Sequence, residues 1–304
     1  MKVCDISKTK LSASTFFLHT GPFTVSISTK IKAFADTFCS LYPYNEITDT
    51  PVFADFHVTL AKPVNPHLFF KPQVDFLLDS KSVFNPLPFA QFFPIFEWGL
   101  NWAIGNRCNY YLVIHAGVLE KDGFGILLPG TPGAGKSTLC AALCLNGWRL
   151  LSDELALLDL RTGLCVPIPR PVSLKGKSID IIRHYSEAAY LSATVHDTQK
   201  GSVAYLQAPK ISVEQQAKPV KLRAVIFPKF QADIDGYDLK PITKAKALIR
   251  VADQTFNYSI LGKSAFELLK TVLNDSQCYE FFYNGNLTEA EQVFNRIIQE
   301  AKAS

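Results

Sequence analysis

The sequence predicts an α/β protein in two parts, an α/β domain built around a phosphate-binding loop over residues 106–304 and a smaller, aromatic-rich α+β domain over residues 1–105. Three observations carry this. After residue 110, short apolar runs alternate with helical stretches, as strands buried on both faces do. Between one such run and a helix lies Gly130-Thr-Pro-Gly-Ala-Gly-Lys-Ser137. Before residue 105 the chain is instead dense in Phe, Tyr and Pro, with short alternating stretches set between turn signals.

In the first part, Phe53–Leu60 alternates as a half-buried strand does, and turns are expected at Gly21-Pro22, Tyr42-Pro43, Asn65-Pro66 and Asn85-Pro86. A helix around Gln91–Ile104 closes it. In the second part, Tyr111–Leu119 and Phe124–Leu128 read as strands, and Ser137–Asn146 as a helix ended by Gly147 at the C′ position. Trp148–Leu151 and Leu155–Leu158 read as strands flanking Ser152-Asp153-Glu154, and Leu222–Phe227 as a further core strand. Ser264-x-x-Glu267 and Thr288-x-x-Glu291 have the form of capping boxes and predict two C-terminal helices. The second of these would bury Ala290, Val293, Phe294, Ile297, Ile298 and Ala301 on one face.

Bulk properties exclude several classes. With 48% hydrophobic and 19% charged residues, the chain of 304 residues can bury a sizeable core and is not disordered. A net charge of +4 with scattered basic residues argues against a nucleic-acid partner. The seven cysteines form no CxxC pair or zinc spacing and read as reduced, buried thiols. Met1–Ser14 lacks the apolar core of a signal peptide, and the apolar stretch at Phe89–Ile104 is too short and too polar to span a bilayer. A cytoplasmic protein without a membrane span is expected.

The loop carries the chemistry. Gly130-Thr131-Pro132-Gly133-Ala134-Gly135-Lys136-Ser137 fits G-x-x-x-x-G-K-[ST] at every fixed position and is followed by Thr138. Its glycines let successive backbone N–H groups turn inward as a nest for phosphate oxygens, and the helix that follows adds its positive end. Lys136 is expected to reach the β- and γ-phosphates of a nucleoside triphosphate, and Ser137 to ligate Mg²⁺. Asp153 and Glu154, at the mouth of a sheet, can hold Mg²⁺ or accept a proton from an attacking hydroxyl, and the sequence leaves those two roles exchangeable. His115 sits in an apolar strand, where a lone histidine is most often structural. Arg170 and Lys175, in a proline-rich segment at Pro167–Gly176, either contact phosphate or substrate or belong to a solvated loop.

The span from His115-Ala-Gly through the loop to Gly147-Trp-Arg-Leu-Leu-Ser-Asp-Glu154 resembles the catalytic domain of bacterial HPr kinase/phosphorylase, and more closely the branch called HprK-related kinase A. Glu97–Trp102, Arg170–Lys175, Lys200–Tyr205 and Phe256–Gly262 are similar to segments of that branch, which spreads the resemblance over most of the chain. It implies a P-loop core of the HPr kinase and phosphoenolpyruvate carboxykinase type with a mixed sheet, and a kinase that uses ATP and Mg²⁺. It further implies Asp153 as general base toward a serine-like hydroxyl, Glu154 beside Mg²⁺, and His115 tuning the carboxylate. The family carries two aspartates where this chain has Asp153-Glu154. The acceptor is a protein, a peptide or a small hydroxyl compound, and homo-oligomers occur in the family. A nucleotide-dependent switch or slow NTPase that acts by binding a partner is the alternative reading.

Overall fold

The structure is a computed structural model that describes residues 2–3, 11, 14–63 and 71–303. The Asn65-Pro66 turn signal lies outside them. The fold is mixed α/β, with two large sheets and a small one.

The first sheet opens with the hairpin of β1 (Phe16–Thr20) and β2 (Phe23–Thr29). Gly21, in its turn, has φ +57°, and a Cβ there would overlap the carbonyl oxygen of Pro167. Glycine therefore lets the hairpin tip dock on the second part of the chain. β3 (Ile47–Thr48) edges β1, and β4 (Phe56–Ala61) runs parallel to β2 after the helix Lys32–Leu41. β5 (Gln73–Leu78) completes the centre, with β6 (Lys81–Ser82) and β7 (Leu87–Pro88) paired to it. The strand expected from Phe53 begins only at Phe56. Phe53 itself is 83% exposed, because its alternation has no neighbouring strand to pair with. The helix Phe92–Arg107 packs beside Lys32–Leu41 through an aromatic cluster, in which Phe38 stacks on Tyr42 at 4.7 Å and Phe34 meets Phe96 edge-on at 5.1 Å.

The second sheet contains β8 (Tyr111–Lys121), β9 (Phe124–Pro129), β10 (Arg149–Ser152), β11 (Leu155–Asp159) and β12 (Cys165–Val166). A three-stranded sheet follows, made of β13 (Val172–Lys175), β14 (Val195–Thr198) and β15 (Gly201–Leu206). β16 (Leu222–Phe230), β17 (Tyr237–Pro241) and β18 (Gln277–Tyr283) return to the second sheet, whose order is β12-β11-β8-β9-β16-β18-β17 with β10 also on β8. β9, β16 and β18 are parallel and the other pairs antiparallel. Alternate residues face opposite layers. Leu119, Ile126, Leu128, Ile226 and Phe281 pack against the helices Lys136–Leu145 and Leu287–Ala303. Ile114, Val118, Leu127, Val225 and Cys278 pack against Lys244–Ala252 and Lys263–Asn274.

A further core joins the parts: Phe34, Phe76 and Phe96 share one cluster with Val113, Leu155, Leu157 and Tyr205. The C-terminal helix buries Ala290, Val293, Phe294, Ile297 and Ile298, while Ala301 is only half-buried. Both capping boxes are displaced. Gly262 (φ +51°) precedes one helix, so Ser264 lies inside it, and Asn286 Oδ1 accepts from Glu289 N ahead of Thr288 in the other. In each case a residue with better turn geometry outcompetes the hydroxyl two positions later. No helix among the described residues is long and apolar enough to cross a membrane.

Candidate active site

The register of β8 brings three separated motifs together. β9 pairs along one edge, with Ala116 opposite Pro129, so the Gly130 loop leaves the sheet beside His115. On the other edge β10 pairs with Val118–Glu120 and β11 with Tyr111–His115. The chain between β10 and β11 holds only Asp153 and Glu154, and these two residues are forced out of the ladder beside Ala116 and Gly117. Gly117 is needed there: a Cβ would stand 2.5 Å from Cys140 Sγ and 3.5 Å from Lys136 Cγ. Its absence lets the helix Lys136–Leu145 lie close over the strand.

The loop curls through Gly133 and Gly135, both at φ +86°, a left-handed conformation that side chains rarely adopt. Ala134 N donates to Thr131 O at 3.1 Å, and the helix begins at Lys136 directly after Gly135. A Cβ on Gly135 would overlap the hydroxyl of Tyr283, which donates to Gly135 O at 3.4 Å. Tyr283, at the end of β18, thus braces the loop from outside. Nothing in its local sequence marks it, since it sits in an ordinary strand pattern.

The loop from Gly130 to Thr138 opens into a cleft of about 460 Å³, where it is joined by His115, Glu154, Ser173, Lys175 and Lys177. Ile181, Phe230, Ala232 and Leu287 form an apolar outer wall. A second cleft of about 560 Å³ flanks the loop on the side of Phe227, Arg250, Glu280 and Phe282. Lys136 is buried, and its Nζ finds no hydrogen-bond partner among the described residues. Burial lowers its ammonium, with Asp153 and then Glu154 opposing that shift.

The two carboxyls are tuned in opposite directions. Burial is the largest influence on Asp153 and raises it, the charge of Lys136 counteracting only in part. Its Oδ2 accepts from Ser173 N at 3.1 Å, and its Oδ1 has no hydrogen-bond partner among the described residues. Burial would also raise Glu154, but Lys175, Lys200, Lys136 and Arg170 outweigh it and bring that carboxyl down to about 2. Lys175 Nζ lies 3.3 Å from Glu154 Oε1, and the Asn101 amide donates to Oε2. Glu154 lines the cleft, whereas Asp153 sits behind it. His115 is held neutral, lowered to about 4 by burial first and Lys136 second.

Arg170 is not in a solvated loop. It is buried, its Nη1 3.6 Å from Glu97 Oε2 and its Nη2 donating to Asn101 Oδ1, and it lies behind the acidic pair and away from the loop. The second half of its proline-rich segment is β13, which pairs with β15 and carries Ser173 and Lys175 to the cleft. Glu97 and Asn101 fall within a segment the resemblance covers, without a role assigned there. They stand one helical turn apart on Phe92–Arg107 and so share a face.

No group of three or more His, Cys, Asp or Glu side chains forms a self-contained metal cage among the described residues. Mg²⁺ does not require one, since it is commonly held by one or two carboxylates together with substrate phosphates. Ser137 and an ionised Glu154 on the same cleft fit that donor set. The chain matches no known protein-family model and no curated protein. The HPr kinase resemblance stands on the motif residues alone.

Proposed function

We propose that this chain is a P-loop kinase, with a core of the HPr kinase and phosphoenolpyruvate carboxykinase type, that transfers the γ-phosphoryl group of ATP to a hydroxyl acceptor. The observation that supports it is the oppositely tuned acidic pair beside one phosphate-binding loop. A carboxylate that stays ionised suits a cation. A neighbouring carboxyl raised toward the working pH suits proton abstraction, which a simple nucleotide switch does not need.

In this reading the loop amides and Lys136 hold the phosphates, and Ser137 with Glu154 hold Mg²⁺. Held by these two residues, Mg²⁺ would supply positive charge to offset that developing on the phosphates. Lys136, whose charge already acts on Asp153, is shared in this reading between that carboxyl and the phosphates. Asp153 takes the proton of the acceptor hydroxyl while that oxygen bonds to the γ-phosphorus and the bond to the β-phosphate oxygen breaks. The products are ADP, a phosphoester and a proton on Asp153. Neutral His115 orients the carboxyl, and the open cleft admits a protein, peptide or small hydroxyl compound.

The test is transfer from γ-labelled ATP in a lysate, with direct titration of ATP alongside. Asp153→Asn should lose transfer by roughly 10²–10⁴-fold and keep nucleotide binding. Lys136→Ala should weaken binding itself. Full transfer by Asp153→Asn refutes the base, and release of free phosphate with no labelled acceptor favours the nucleotide-switch reading.

A further inference from the structure

Behind the acidic pair, one line of buried polar groups crosses from the first part of the chain to the cleft. Tyr42 Oη donates to Glu97 Oε1 at 2.5 Å, and Glu97 Oε2 lies 3.6 Å from Arg170 Nη1. Arg170 Nη2 donates to Asn101 Oδ1, and Asn101 Nδ2 donates to Glu154 Oε2. Each amide atom of Asn101 has a partner of matching polarity, so only one orientation of its side chain satisfies both neighbours. The cavity lined by Glu97, Asn101, Glu154 and Arg170 is about 20 Å³, room for a single water molecule and nothing larger. It is scaffolding and not a substrate pocket.

We infer that Asn101 is a positioning residue for Glu154, and that the helix Phe92–Arg107 is therefore part of the site; this rests on the kinase reading above. The geometry explains why an amide stands there. Asn101 holds one oxygen of Glu154 and Lys175 the other, which fixes the plane of the carboxylate at the cleft wall. Glu97 faces Arg170 with the opposite charge, so the guanidinium orients Asn101 without needing Glu154 as its ion-pair partner. With the amide removed, Oε2 of Glu154 loses its donor, and Lys175 on Oε1 alone does not fix the plane of the carboxylate. Partners of this kind fix a ligand's direction, and their loss typically costs about 10- to 100-fold in metal affinity.

The experiment is titration of ATP into the full chain, with Mg²⁺ and with EDTA, for wild type, Asn101→Ala, Glu154→Ala and the double variant. Asn101→Ala should weaken the Mg²⁺-dependent part of ATP binding about 10- to 100-fold and leave binding in EDTA unchanged. In the Glu154→Ala background the same substitution should have no further effect, because the two residues act as one unit. Asn101→Leu, close in volume, should reproduce the loss if the alanine variant does not fold. A wild type that binds ATP no better with Mg²⁺ overturns the kinase reading and this inference with it. A wild type with Mg²⁺-linked binding that Asn101→Ala and Asn101→Leu both preserve overturns this inference alone. So does a loss of equal size with and without Glu154.

Discussion

Gly135→Ala tests the geometry of the Gly130–Ser137 loop most directly. Two costs add. Gly135 sits at φ +86°, and an L-residue forced into the left-handed region loses about 1–2 kcal/mol. The new Cβ would also overlap the Tyr283 hydroxyl and stand 3.0 Å from its Cζ. That ring cannot retreat cheaply, since it is 3% exposed, stacked on Phe281 at 5.3 Å and edged by Phe230 at 6.0 Å. Overpacking of this kind costs about 1–3 kcal/mol, giving about 2–5 kcal/mol in all. Tyr283→Phe removes the overlapping oxygen and a long hydrogen bond, costing about 1 kcal/mol at most. In that background Gly135→Ala should cost about 1–2 kcal/mol less than it does in wild type, with the backbone strain remaining. Equilibrium urea unfolding of the four proteins measures this cycle. A cost for Gly135→Ala below about 0.5 kcal/mol, or an identical cost in both backgrounds, refutes the contact as drawn.

Two further outcomes are expected. His115, lowered from 6.5 to about 4, binds no proton in the folded state over a range where the unfolded chain does. Stability should therefore fall as pH drops from 6.5 to about 4, and this group adds no further loss below that. An imidazole NMR titration should give a midpoint near 4, and one near 6.5 contradicts the buried, cation-flanked placement. Glu120→Gln leaves Arg149 buried with its two carbonyl partners, Gln215 O and Lys218 O, each at 3.1 Å, but without its carboxylate at 2.5 Å. Loss of one member of such a buried pair should cost about 3–5 kcal/mol in urea unfolding, against under 1 kcal/mol for an exposed pair.

Local signals were legible where the cause is local. Gly147 ends its helix at φ +83°, and the strands at Tyr111 and Phe124 fall where apolar runs predict them, because burial on both faces leaves no polar position to break the run. The hydroxyl caps at Ser264 and Thr288 were misplaced because a capping box states a spacing only, and the helices start earlier, after Gly262 in one case and with Asn286 Oδ1 accepting from Glu289 N in the other. Arg170 was visible as a cation but not as a buried one. Its partners Glu97 and Asn101 lie about seventy residues upstream, and no local pattern links them.

The sequence by itself determined the glycine-rich loop at Gly130–Ser137, the acidic pair and the mixed α/β class, since each rests on spacing, glycine chemistry or hydrophobic period within one segment. Only the tertiary structure decided which carboxyl faces the cleft, which one nearby cations lower and which one stays raised by burial, and that Tyr283 and the Tyr42–Glu97–Arg170–Asn101 line surround them. Those properties depend on the pairing register of β8 and on charges brought together from distant segments, and a linear order of residues does not specify the distances on which they rest.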